Sequence, residues 1–179
     1  MRNLERISVL LGLIDAMKER SWCGETHIQK AAYVLREIAH VHADMKFILY
    51  KHGPFSFDLR DELYSIHADG LVELVTRPAP YGPSWRVTDA GHQFMSRVGS
   101  SVPDHGKAIK FVVEKLSGKG VAELERLGTA LYVTRMHSEL SPDERANQIV
   151  ELKRHVRITD AKSAISEMDE MLLQYSGGV

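Results

Sequence analysis

The sequence has one cysteine, Cys23, so no disulfide framework holds the chain together from within. It has no apolar run near the roughly 20 residues a helix needs to cross a bilayer. The longest, Val9 to Ile14, is short and sits inside an amphipathic pattern. It has no surplus of either charge: 23 Lys and Arg against 24 Asp and Glu leave a formal net charge of −1. A nucleic-acid domain usually shows a basic excess, and none is present here. G-x-S-x-G, H-E-x-x-H and phosphate-cradling glycine loops are absent, and Gly118-Lys119-Gly120 is a turn without a flanking strand. Arg2 and Arg6 are followed by no small-residue cleavage site, which argues against a signal peptide. The expectation is a cytoplasmic protein without membrane attachment, cofactor or catalytic activity.

What is there is ordinary globular material. The 179 residues are 44% apolar and 26% charged, enough for one sizeable core or two small ones. Leu4, Ile7, Leu10, Leu11, Ile14 and Met17 recur at helical spacing and predict a helix over 3–20. After a break at Ser21–Gly24, Thr26 is the predicted cap of a second helix reaching about Val41, with Ile28, Ala31, Ala32, Leu35 and Ile38 inward. Phe47–Tyr50 reads as a short strand, and Gly53-Pro54 as a tight turn.

The next helix is the best signposted. Ser56 is a cap residue, Asp58, Asp61 and Glu62 suit the positive end of the dipole, and Leu59, Leu63 and Ile66 make one stripe. Gly70 stands where a left-handed residue ends such a helix. Strands follow at Val72–Val75 and Trp85–Val87, separated by a stiff loop with Pro78, Pro80 and Pro83. Thr88 caps a helix over 89–98, and Gly99–Pro103 is the linker candidate. Beyond it the pattern is helical: Lys107–Leu116, Val121–Met136, a helix opened by the Ser141-Pro-Asp-Glu144 capping box, and a last one from Thr159 to a frayed 176–179 end. The predicted fold is mostly α with a small β-wing. A winged helix-turn-helix occupies 1–99, and a helical extension over 104–179 packs on it or mediates dimerisation. Met168, Met171 and Leu172 are the expected exposed seam for a homodimer.

Three patches carry a family resemblance. IQKAAYVLRE (Ile28–Glu37) resembles a helix of Panacea-domain proteins, the SocA-like antitoxin family. YKHGPFSFDLRDEL (Tyr50–Leu63) resembles a segment of the same group, and more closely the related YwgA-like uncharacterised bacterial proteins. WRVTDAGHQF (Trp85–Phe94) is similar to an ending shared by many winged helices, and ELERLGTALYVTR (Glu123–Arg135) looks like the helical segment that follows in YwgA-like proteins. The resemblance implies a bacterial or phage protein with a winged-helix fold, no catalysis and a protein partner, a toxin for the antitoxins. The proline-rich loop and the added helices depart from the shorter Panacea pattern.

Site candidates divide by chemistry. His40-Val-His42-Ala-Asp44 spells part of a metallo-hydrolase motif, but Met45 stands where a further histidine is needed, and histidines suit a helix C-terminus. No metal is expected. Cys23 beside Trp22, with His27 four residues on, reads as a small half-buried turn residue. The helix from Phe57 to Asp69 has Asp58, Asp61, Glu62 and Asp69 against Arg60 alone, a surface that repels phosphates. Its expected partner-binding face is Phe57, Asp58, Arg60, Asp61, Glu62, Tyr64 and Ser65, with the two rings as anchors, unless Phe57 packs on the wing. Were DNA bound instead, Lys46, Lys51, Arg60, Arg77 and Arg86 would be its phosphate contacts, and Lys153, Arg154 and Arg157 a solvated helix end. The favoured function is a protein-interaction module, an antitoxin or adaptor that neutralises or docks a partner. The alternative is a transcriptional regulator that binds DNA as a dimer.

Overall fold

A computed structural model describes residues 4–18, 23–41 and 44–177. Helices α1 (Leu4–Met17) and α2 (Glu25–Ala39) lead to a short antiparallel hairpin, β1 (Ile48–Tyr50) and β2 (Gly53–Phe55). Helix α3 (Phe57–Ala68) follows, then a second hairpin of β3 (Val72–Val75) and β4 (Ser84–Val87). The rest is helical: α4 (Asp89–Val98), α5 (Gly106–Leu116), α6 (Val121–Met136), α7 (Pro142–Leu152) and α8 (Ile158–Gly177). The fold is therefore mostly α with two small antiparallel strand pairs. Among the described residues no helix is long and apolar enough to cross a membrane.

Helix α1 is the axis of the structure. Ile7, Val9, Leu10, Leu11, Leu13, Ile14 and Met17 are all at most 2% exposed. The sequence pattern shows one stripe, yet the helix is buried nearly all round, because α2, α3, α4, α5 and β4 enclose it. Gly12 lets α5 close in: a Cβ there would lie 3.0 Å from Ile109 Cδ1. One hydrophobic cluster runs from α1 and α2 through α5 and α6 to Met168 and Met171 of α8, so the helices after Gly99–Pro103 pack directly on those before it. Arg145 of α7 locks the far end, donating to Thr134 of α6 at 2.8 Å and pairing through two nitrogens with Asp169 of α8.

Local signals place most of the ends. Ser56 Oγ accepts from Leu59 N at 3.2 Å, Thr88 Oγ1 from Gly91 N at 3.1 Å, and Ser141 and Glu144 form the reciprocal box expected of them. Gly70 has φ +74°, the left-handed turn that ends α3.

Several expectations are corrected. Helix α2 begins at Glu25 on an extended Gly24 rather than behind Thr26. Gly53 and Pro54 lie in β2, not in a turn. The reversal comes one step earlier at Lys51-His52, where the Lys153 ammonium donates to the carbonyls of Tyr50 and Lys51 at 2.6 and 2.5 Å. Helix α8 starts at Ile158 and continues through Ser176 and Gly177, with 178–179 outside the described residues. Met168 and Met171 do not form an exposed seam: they are 0% and 2% exposed, facing inward where α6 and α7 pack on α8, and Leu172 is half-buried beside them. Ser21 and Trp22 of the predicted break lie outside the described residues, as does His42.

Candidate functional site

The start of helix α3 is set in place by residues from two distant segments, α2 and α6. The Gln29 amide, fully buried, reads the backbone of Ser56 twice: it donates to Ser56 O and accepts from Ser56 N, both at 2.9 Å. Lys30 Nζ, on a residue 2% exposed, donates to Pro54 O at 2.9 Å. From the other side α6 comes very close. A Cβ on Gly53, already at φ +82°, would lie 3.2 Å from Glu125 O, and one on Gly128 would lie 3.1 Å from Pro54 Cδ. These contacts unite Ile28–Glu37, the Gly53–Ser56 stretch and the start of α6. They fix the Cα of Ser56, hence the first turn of α3, against α2 and α6.

The polar node beneath the hairpin continues through Glu125, whose carboxylate is 7% exposed. Lys153 Nζ is 3.6 Å from Oε1, His155 Nε2 3.3 Å from Oε1, and His52 Nδ1 3.4 Å from Oε2. Burial lowers the Lys30 ammonium from 10.5 to about 8, outweighing the attraction of Glu125. Between those values the unfolded chain holds the proton and the folded one has released it, so stability rises with pH there. From pH 8 to 9 the wild-type chain is expected to gain about 1 kcal/mol over Lys30→Met, and the Cys23 thiol, common to both proteins, cancels from the comparison. Urea midpoints at the two pH values check this, and parallel profiles for the two proteins would refute it.

Helix α3 presents two different faces to solvent. One bears Asp58, Asp61 and Ser65, all exposed. Glu62 is the exception to the expected acidic face: it is 7% exposed and pairs with Arg6 at 2.8 Å, because Arg6 of α1 runs along that flank. Glu62→Lys would set two cations against each other in a half-closed site and is expected to cost about 2 kcal/mol. Asp61→Lys, at a side chain 76% exposed, is expected to stay within about 0.5 kcal/mol. Thermal melts of the two variants separate a structural carboxylate from a surface one.

The other face is aromatic. Phe57 is 40% exposed and packs edge-on against Phe55 at 5.0 Å and Tyr50 at 5.7 Å, while Arg60 lies 5.0 Å above the Phe57 ring. Phe57 thus packs on the first hairpin, not on the loop between β3 and β4. Ile48 and Tyr50, 49% and 45% exposed, extend the patch across that hairpin. One turn beyond Arg60, Tyr64 stands at 5.5 Å from Trp85, edge to face, at the mouth of a recess of about 600 Å³. The expected anchors Phe57 and Tyr64 therefore lie on one face, with Arg60 between them.

The residues expected to touch phosphate are scattered. Lys46 and Lys51 are exposed near the first hairpin, Arg86 pairs with Glu73 at 2.7 Å across the second, and Arg77 Nε donates to Ser84 Oγ at 2.9 Å. Cys23 is 2% exposed with its Sγ 3.8 Å from Ile14 O, and burial pushes the thiol up to about 12. His40 is the left-handed cap of α2, and no metal-like group of three His, Cys, Asp or Glu occurs among the described residues.

Sequence reasoning missed Tyr50, Phe55 and Trp85 as members of the aromatic surface, and Gln29, Lys30 and Glu125 as its foundation. No local signal marked them: Gln29 and Lys30 lie off the stripe Ile28–Ala31–Ala32–Leu35–Ile38 and read as outward positions, and only the distant backbone of Pro54 and Ser56 gives them their use. Compared with protein-family models and with curated proteins, the chain matches none.

Proposed function

We propose that the chain is a non-enzymatic protein-interaction module, an antitoxin or adaptor of the Panacea kind, that docks a partner protein through α3. The observation that carries it is the exposed pair Tyr50 and Phe57, packed on half-buried Phe55 under Arg60, with Tyr64 one turn further on. Rigid aromatic and arginine side chains dominate binding energy at protein interfaces, since they bury much area at little entropic cost. The exposed Asp58 and Asp61 border this surface and favour a partner with basic residues at the rim. The convergence of Gln29, Lys30 and Gly53–Ser56 supports the Panacea-like reading, because the resembling patches meet at one point of the fold.

The test is capture of a partner by the purified chain, followed by affinity measurements. Phe57→Ala is expected to weaken the complex about tenfold or more while leaving the melting temperature within a few degrees. An affinity unchanged by Phe57→Ala would sink the docking surface.

The element order supports a second reading. In this reading α1, α2, α3 and the antiparallel β3–β4 pair would correspond to a winged helix-turn-helix with the β1–β2 hairpin inserted before α3, and α3 would take the recognition position. A DNA-binding dimer needs phosphate neutralisation, and the pairing of Arg86 with Glu73 reduces what the second hairpin offers. A gel shift on the chain's own upstream region at low salt decides it: binding that falls steeply with salt favours the regulator, and no binding removes it.

A further inference from the structure

The recess below Tyr64 lies between the first turn of α2, the 117–121 connection from α5 to α6, and the loop between β3 and β4. Its volume, about 600 Å³, falls within the range of small-molecule sites. Tyr64 and Tyr81, 51% and 57% exposed, and the edge of Trp85 form its aromatic wall.

The charged groups around it are answered from within the chain. Burial raises the Glu25 carboxyl above its ordinary value, while the charges of Arg60 and Lys30 and a hydrogen bond from Gln29 work the other way. Glu123 Oε2 accepts from Gly120 N at 2.8 Å, and Lys119 pairs with Glu167 at 2.5 Å. His27 is 7% exposed with its Nε2 3.0 Å from Lys119 O, and burial lowers its imidazole below the usual value, which keeps it neutral at pH 7. Neither a cation nor an anion meets an unanswered counter-charge here. The occupant that fits is neutral.

What stays unanswered is a set of hydrogen-bond donors. Ser117, at the end of α5, is 7% exposed and Trp85 is 3% exposed, and both line the recess. Neither the Ser117 hydroxyl nor the Trp85 indole N–H has a hydrogen-bond partner among the described residues, yet neither atom is sealed from solvent. The first amides of α2 add to them, because Gly24 has no side chain to cap that helix. Half-closed donors of this kind gain from an oxygen brought by a ligand. Among neutral groups a carbonyl suits them well, since it accepts through two lone pairs and brings no competing proton. The rings in turn favour a flat partner that stacks or meets them edge-on.

We propose that this recess binds a small uncharged ligand built on a flat aromatic ring with a carbonyl group, the ring against Tyr64 and Tyr81 and the carbonyl oxygen accepting from the Ser117 hydroxyl. The proposal goes beyond the docking function above, and neither requires the other.

The test uses the full chain, isotope-labelled, titrated with acetophenone, with benzoate and with cyclohexyl methyl ketone. Benzoate keeps the ring and adds a charge, and the cyclohexyl ketone keeps the carbonyl and loses the flat ring. Acetophenone is expected to shift the resonances of Thr26, Tyr64 and Ser117 and to bind about fivefold more tightly than either analogue. Ser117→Ala and Tyr64→Ala are each expected to weaken it about fivefold while leaving the melting temperature within a few degrees. Should Ser117→Ala disturb the fold, the exposed Tyr64→Ala carries the decision. Benzoate binding as tightly as acetophenone would show that the helix N-termini read charge, and would overturn the proposal. Equal binding of the two ketones, shifts that avoid the recess, or an affinity that survives both variants would overturn it too. The docking function is read separately, by Phe57→Ala in the partner complex, so either reading can fail while the other stands.

Discussion

Replacing Gly91 by alanine is expected to lower stability by about 3 kcal/mol, a fall in melting temperature of roughly 6–12 °C for a chain of this size. Gly91 is buried in the first turn of α4, where the helix sits against the bend at Leu71 that follows α3. A Cβ there would lie 2.3 Å from the carbonyl oxygen of Leu71 and 2.7 Å from Val87 Cγ1. The nearer atom is backbone, and it is held: Leu71 O accepts from Thr88 N at 3.1 Å, and the Thr88 hydroxyl donates to Gly70 O at 2.6 Å. No side-chain rotation relieves the clash, so either α4 lifts or the Gly70–Val72 bend opens. This gives the glycine in the Trp85–Phe94 stretch a physical purpose, since Thr88 caps the helix and Gly91 lets it sit on the preceding turn. Circular dichroism melts of the variant read the effect directly. A loss below about 1 kcal/mol would mean that the contact is looser than the geometry says.

How much of this was legible in the sequence depends on whether a feature is local. The Ser141–Glu144 capping box, Gly70 and the stripe Leu59–Leu63–Ile66 act within a few residues, and α3 and α6 came out almost to the residue. What failed was non-local. Nothing near Met168 or Met171 announces that α6 and α7 will cover them, and a methionine row at helical spacing reads alike whether it faces solvent or a neighbouring helix. Glu62 failed the same way, because its partner Arg6 is 56 residues away. The reversal at Lys51-His52 is held by Lys153, roughly a hundred residues on, so local signals point to the glycine and proline instead.

The candidate site shows the same division. Phe57, Arg60 and Tyr64 were readable because helical spacing puts them on one face of α3. Tyr50 and Phe55 belong to strands whose pairing brings them to the same patch, and Trp85 comes from the far hairpin. The acidic character of α3 was half right: Asp58 and Asp61 stay in solvent, while Glu62 is used internally.

Gln29→Ala is expected to cost about 3 kcal/mol. It leaves the N–H of Ser56 without a partner in a residue 0% exposed, at about 1–3 kcal/mol for the orphaned group, and opens a void where the amide was, while Ser56 O keeps only its bond from Arg60 N at 3.2 Å. The consequence reaches the surface. Ser56 is the cap of α3, and Phe55 and Phe57 flank it, so a cap free to shift lets the Phe55–Phe57 pair come apart. Partner affinity should therefore fall together with stability, although Gln29 touches no solvent. Gln29→Glu distinguishes this from a simple packing loss. A protonated carboxyl reproduces the amide, donating to Ser56 O and accepting from Ser56 N, whereas a carboxylate repels the carbonyl. The folded-state pKa of the introduced carboxyl would thus be raised above its unfolded value near 4.3, and its stabilising contribution would be present below that value and lost as pH rises through the folded one. Denaturant midpoints of Gln29→Glu should approach wild type as pH falls toward 4 and separate again by pH 7, with Gln29→Ala staying low throughout. A gap that does not change with pH would show that Gln29 fills space without holding the Ser56 backbone, and the resembling patches would then need another reason to meet there.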